Sequence, residues 1–345
     1  MQQNSLPKNE LKKEYGAYIY AGAILVFICI QLAVYVAAIF IWRGEPDEPL
    51  TPPPEFLLFA SFLLQVGFAA LYFLFYRKHR VKPDHSLKTK LNPKWYALSA
   101  ILGVACLFLF MSVHILFANF LENRTSFTSP DSPFADPSGF IQIFLIILTA
   151  VIAAPIGEEL IFRGGLIDGL NKKFPVFATA ALSGILFSFM HMNPASTVYQ
   201  FFLGFAAACL VLATKSIIPA VILHAVSNLI VALSILINPV YSFFNLYTQR
   251  LTSGWGIVLS ILLAFIGVSV FAGLVVISNK KRKIHTYYTP QDKSIIQEKQ
   301  AAENVLSSPS PSLDNVSPYN KSSKLFYACL IAPFLITLLV WLAHF

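Results

Sequence analysis

Three short polar clusters interrupt otherwise apolar stretches of this chain, and between them they hold the groups that hydrolysing an amide requires. The first is Gly157-Glu158-Glu159-Leu160-Ile161-Phe162-Arg163-Gly164-Gly165. The second is Phe187-Ser188-Phe189-Met190-His191, and the third is His224-Ala225-Val226-Ser227-Asn228. Carboxylates and imidazoles transfer protons, and suitably placed donors stabilise the oxyanion of an acyl transfer. A charge near the middle of a membrane span costs roughly 2.5–3.5 kcal/mol on insertion scales, so three of them together need a reason.

Spacing separates the two carboxylates. Glu159 and Arg163 stand four apart, one above the other on a helix face, in the order that favours pairing. Glu158 points about 100° away and finds no partner in its own helix. Its face continues through Phe162, Gly165 and Gly169, small enough in part for another helix to come close. A carboxylate without a local countercharge suits proton transfer. The competing explanation is a purely structural network of the three charges.

The apolar runs that carry these clusters fix their depth. One long helix from about 139 to 170 would hold the first cluster well inside its length, with the turn to the next helix near Lys172-Lys173-Phe174-Pro175. Glu158 lies about 15 residues before that turn and His191 about 16 after it, so at ~1.5 Å per residue both sit about 20 Å from it. Counted from Lys215, His224 and Asn228 lie roughly 13 and 20 Å deep, on one face and within about a turn of the same layer. Taken alone, His224 and Asn228 are equally well explained as an interhelical hydrogen-bonding pair; convergence of three spans favours a site. His114, Gln31 and Gln65 stand isolated and are expected to be packing or interfacial residues. Asn123-Arg124-Thr125 fits a glycosylation pattern, a weak signal at three residues.

The chain as a whole reads as an all-α polytopic membrane protein, a helical bundle of about eight core helices plus an appended C-terminal transmembrane helix. Its 345 residues are 56% hydrophobic and 12% charged, against about a quarter charged in a soluble domain. Apolar spans are expected at 19–42, 56–76, 95–120, 139–157, 176–192, 198–214, 217–237, 256–278 and 325–343. They lack the period-two alternation of barrel strands. The net charge of +8 does not indicate nucleic acid, because the basic residues concentrate in loops beside the spans. Basic loops (Arg77 to Lys94, Lys172-Lys173, Lys215, Lys280 to Lys283) fall on every second turn, which puts them and the N-terminus on the cytoplasmic side. Cys29, Cys106, Cys209 and Cys329 sit in apolar runs without a Cys-x-x-Cys pair and are expected to pack rather than to bridge or bind metal.

The expected organisation is a cytoplasmic N-terminal segment (1–18), N-terminal membrane helices and loops (19–138), and a core carrying the three clusters (139–237). An eighth span with its outer loop (238–279), a flexible Ser/Pro-rich cytoplasmic linker (280–324) and a C-terminal span (325–345) follow.

Glu158-Glu159-x-x-x-Arg163, Phe187-x-x-x-His191 and His224-x-x-x-Asn228, in that order on successive spans, resemble the three motifs of the CPBP family. That family comprises CAAX prenyl endopeptidases and bacteriocin-processing or self-immunity (Abi) proteins, and the likeness covers about residues 139–237. The resemblance implies an intramembrane endopeptidase of a bacterial plasma membrane acting on a peptide or membrane-protein substrate, as eukaryotic relatives act on prenylated CaaX proteins. It implies that Glu158 and His191 activate the attacking water, that His224 and Asn228 stabilise the oxyanion, and that Glu159 and Arg163 support the site. Family members include both metalloproteases and metal-independent glutamate proteases. Zinc, if bound, would fall to Glu158, His191 and His224; no His-Glu-x-x-His motif is present, and no obligatory metal is expected. Two other readings compete: a non-proteolytic scaffold or immunity protein of the same fold, and an ion-coupled transporter, for which no matching second half is found. No oligomeric state is implied.

Overall fold

Long apolar runs can satisfy their backbone in lipid only as helices or closed barrels. The computed structural model, which describes residues 8–42, 52–85, 87, 90–125, 137–287 and 324–343, is all-α among those residues. Its helices are α1 (Lys8–Ile41), α2 (Pro54–His79), α3 (Pro93–Arg124), α4 (Phe140–Leu170) and α5 (Val176–Met190). After these come α6 (Thr197–Thr214), α7 (Ile218–Leu236), α8 (Asn238–Leu251), α9 (Trp255–Tyr287) and α10 (Lys324–Leu342). Eight of the described helices, all but α5 and α8, are long and apolar enough to cross a membrane.

The expected spans coincide with helices to within a few residues at most ends, with three differences. α5 has 15 residues, about 22 Å of rise against a hydrocarbon core of about 30 Å, so the segment expected to span as 176–192 stops short. The outer loop expected after 237 contains α8, an amphipathic helix. There Phe244 and Tyr247 pack on Phe108 while Tyr241, Phe243 and Leu246 stay exposed. The expected linker loses its first residues to α9, which continues to Tyr287; the Ser/Pro-rich centre of that linker, and the acidic loop after α1, lie outside the described residues.

α6 is the hub. Two thirds of its apolar window (67%) is buried, against at most 33% for any other span, and it packs on α3, α5, α7 and α9. Small side chains permit this: Gly204, Ala206, Ala207, Ala208, Cys209 and Ala213 are buried along it. α4 lies beside this group, flanked by α1, α2, α5 and α7. α10 is no isolated anchor, since it packs on α1 and α5.

The crossing of α1 over α4 depends on glycine. A Cβ on Gly16 would lie 2.7 Å from the Leu166 carbonyl oxygen and 2.9 Å from Gly165 O and Gly169 N. The glycines that the sequence offered for close approach, Gly165 and Gly169, thus meet α1. Gly16→Val should lower stability by about 1–3 kcal/mol, since backbone rather than a flexible side chain has to move. Thermal unfolding of the purified protein in detergent measures this; an unchanged midpoint would show that α1 does not depend on the close crossing.

Candidate active site

The first cluster sits on a helix that is not regular. α4 is π-helical over Ile147–Ala153 and Leu160–Leu166, and α-helical over Ala154–Glu159 between them. Pro155 cannot donate a backbone hydrogen bond and its ring crowds the preceding turn, which the wider π turn accommodates. Such segments leave carbonyls with altered partners. Two are taken up by side chains: Asn228 Nδ2 donates to Ala150 O (2.8 Å) and the Tyr76 hydroxyl to Gly164 O (3.0 Å).

Glu159 and Arg163 pair as their spacing predicts, Nη1 to Oε1 at 3.0 Å. The guanidinium is fully buried, donates from Nη2 to Gly204 O (2.8 Å), and lies 4.7 Å from the centre of the Phe187 ring. His224 Nδ1–H donates to the same Glu159 oxygen at 3.0 Å. Glu159, Arg163 and His224 therefore form one closed, buried layer joining α4, α6 and α7. Asn228, one turn further along α7, also faces α4, as its spacing from His224 predicts.

Glu158 belongs to a second, more open layer. Its Oε1 accepts from Gln65 Nε2 at 3.0 Å, and its Oε2 lies 3.7 Å from His191 Nε2. The hairpin of α4 and α5 does bring Glu158 and His191 level. The His191 side chain keeps 27% of its surface exposed, against 4% or less for Glu159, Arg163 and His224. Phe187 separates the layers, with its ring centre 4.9 Å from His191, 5.7 Å from His224 and 5.2 Å from Phe162.

Tautomers follow from the partners. His191 Nδ1 faces the Phe187 carbonyl at 2.9 Å, an acceptor only, so Nδ1 carries the hydrogen, and in the neutral ring Nε2 presents a lone pair. Nε2 and an ionised Glu158 Oε2 are then two acceptors facing each other. Glu158 Oε2 and Gln65 Oε1 are buried without a hydrogen-bond partner, which leaves this layer able to receive another polar group; in the first layer Glu159 Oε2 and Arg163 Nε also lack partners.

Gln65 is the residue that sequence reasoning misplaced. It is a direct partner of Glu158, not an isolated packing residue, because Gly157 admits α2: a Cβ there would lie 2.7 Å from Gln65 Oε1 and 2.8 Å from Gln65 O. Asp168 was also missed, although a carboxylate in an apolar run is itself a signal. It is buried, accepts from the Tyr76 hydroxyl (3.2 Å) and Asp84 N (2.8 Å), and meets His85 Nδ1, clamping the loop after α2 onto α4. His114 lies beside Tyr199, away from this layer.

Among the described residues, no three His, Cys, Asp or Glu side chains are grouped so as to hold a metal ion. His224 turns Nδ1 to Glu159, while Glu158 turns to Gln65 and His191. As placed, Glu158, His191 and His224 do not form such a group, and no step below runs through a metal.

Residues 140–230 match the model of the Rce1-like family, described as type II CAAX prenyl endopeptidase Rce1-like. The matched stretch contains Glu158, Glu159, Arg163, His191, His224 and Asn228, and agrees with the CPBP resemblance of the three motifs. At family level it supports a membrane protease. No curated protein and no solved structure matches the chain. Gln65 and α10 lie outside the matched residues.

The two layers should respond differently to mutation. Arg163→Met takes the guanidinium from the buried Glu159 carboxylate and leaves it only the His224 Nδ1–H, and should cost about 3–5 kcal/mol, seen as loss of folded protein from the membrane. The double variant Arg163→Met/Glu159→Leu should recover part of that loss. Wild-type thermal stability for Arg163→Met would contradict the closed layer.

Proposed function

We propose that this protein is an intramembrane endopeptidase in which Glu158 and His191 activate a water against a peptide carbonyl. The observation that carries this reading is the gap between them. Two acceptors 3.7 Å apart cannot bond each other, but one water beside them can donate a hydrogen to each at ordinary distances of about 2.8 Å. The lone pairs of that water are then free to face a substrate carbonyl.

Glu158 takes one proton as the water oxygen bonds to the carbonyl carbon and the π electrons move to the carbonyl oxygen. When the C–N bond breaks, the leaving nitrogen takes that proton from Glu158, giving a carboxylic acid and an amine. Gln65 holds Oε1, so that Oε2 faces the water. Asn228, with a second amide hydrogen beyond the one on Ala150, and His224 are assigned to the oxyanion, His224 through Nε2–H of an imidazolium whose Nδ1–H stays on Glu159. Glu159 and Arg163 fix His224 and the α4–α6 contact. The substrate is a peptide or membrane protein reaching the site from the bilayer of a bacterial plasma membrane, with the basic loops and N-terminus cytoplasmic by the charge rule.

Glu158→Gln and His191→Ala should each lower cleavage by about a hundredfold or more at normal abundance. Gln65→Leu should cost less, because the carboxylate remains. Comparative membrane proteomics of wild-type and Glu158→Gln cells reads the outcome as an uncleaved protein that accumulates in the variant. Full biological activity of either variant at normal abundance would sink the protease reading in favour of a scaffold. Ion movement by the purified protein in liposomes, without cleavage of any peptide, would favour a transporter.

A further inference from the structure

His191 stands at the end of a helix too short to cross the bilayer, and the turn that follows is strained. Met192 has a φ of +52°, in the left-handed region that residues with a Cβ seldom adopt. Irregular backbone at membrane depth persists only where protein satisfies it. Here Ser188 Oγ donates to Thr197 O (2.7 Å), Ala195 N to Asn193 Oδ1 (2.9 Å), and Thr197 Oγ1 to Asn193 O (3.0 Å). Thr197 thus ties both ends of the turn together.

The outer support of Thr197 comes from α10. Trp341 Nε1 donates to Thr197 Oγ1 at 2.9 Å. That hydroxyl accepts from the indole while donating to Asn193, so one chain of hydrogen bonds runs from α10 into the turn. Phe334 and Trp341, two helical turns apart on α10, both pack on Phe189, with ring centres 5.3 and 5.7 Å away. Phe189 lies two residues before His191 and points to the opposite side of α5. Lys173, in the turn between α4 and α5, places Nζ 3.4 Å from the ring centre of Phe326 on the same helix. α10 therefore grips both ends of α5.

We infer that Trp341 is a positioning residue for His191, and that α10 completes the active site rather than merely anchoring the chain. The inference rests on the reading of His191 as half of the water-activating pair. The family-matched core (140–230) supplies His191 but not this support. Loss of the indole N–H frees the turn to relax its left-handed residue and swing the imidazole away from Glu158.

The test reads His191 directly, without substrate. Full-length protein in detergent is treated with diethyl pyrocarbonate over a range of pH, and carbethoxylation of each histidine is followed by mass spectrometry. Trp341→Phe keeps the ring and deletes the N–H, and Thr197→Val deletes the acceptor. Each should raise the His191 rate by about two- to tenfold, the equivalent of one hydrogen bond, and change its pH profile. The double variant should do no more than either alone, and Thr197→Ser should react as wild type. An unchanged His191 rate in Trp341→Phe overturns the inference, as do additive effects in the double variant. A parallel rise at buried His224, which would mean general loosening, also overturns it. None of these readouts depends on proteolysis: loss of the protease reading leaves them standing, and their failure leaves the Glu158–His191 chemistry intact.

Discussion

An arginine with no exposed surface must be neutralised within the bundle, and much of the structure around the site follows from that need. Arg163 is neutralised by Glu159, and its second amino group takes the Gly204 carbonyl. To receive it, α6 must present bare backbone there. A Cβ at Gly204 would lie 3.2 Å from Arg163 Nη2 and 3.1 Å from both Phe187 Cδ1 and Gly184 Cα. One missing side chain thus admits the guanidinium, the Phe187 ring and the α5 backbone together. Since His224 shares the Glu159 oxygen, the position of α7 depends on the same charge.

That closed layer leaves the neighbouring carboxylate free for the role proposed for it. Glu158 and Glu159 are adjacent in sequence, yet they face different partners because successive helical residues point about 100° apart. Glu159 spends its interactions on structure. Glu158 is hydrogen-bonded at one oxygen only, by an uncharged amide. Phe187 keeps the arginine on the far side of an aromatic ring, close enough to stabilise the bundle and without a hydrogen bond to Glu158.

The legible part of this arrangement was the part encoded within single helices. Glu159 with Arg163, and His224 with Asn228, are four apart and face as spacing demands. The depth of Glu158 and His191 follows from rise per residue and a two-lysine turn. What stayed hidden depends on neighbours. An amide such as Gln65 in an apolar helix looks the same whether it faces lipid or a carboxylate, and only the approach allowed by Gly157 decides between them. His85 gave no signal because its partner, Asp168, lies 83 residues away. α8 was read as loop because its aromatic residues are spaced among Asn, Gln and Arg without forming an apolar run. The π segments of α4 have no sequence signature beyond Pro155.

Glu158 and His191, the pair proposed to activate water, lie where regular helix fails, and there is a physical reason for this. A hydrolase inside a bilayer needs polar atoms that are not already satisfied, yet a regular helix in lipid satisfies its own backbone and offers none. Here α4 widens into π turns on both sides of Glu158, and α5 stops at His191 instead of continuing across. Side chains take up carbonyls there: Asn228 at Ala150 and Tyr76 at Gly164 pin other helices to α4, and His191 closes back on Phe187 at the end of α5. Unpartnered oxygens remain on Glu158, Gln65 and Glu159. Other buried polar atoms, among them Arg163 Nε, Ser183 Oγ and Tyr20 Oη, also lack partners, but Glu158 Oε2 faces the part-exposed ring of His191, which gives a water a way in.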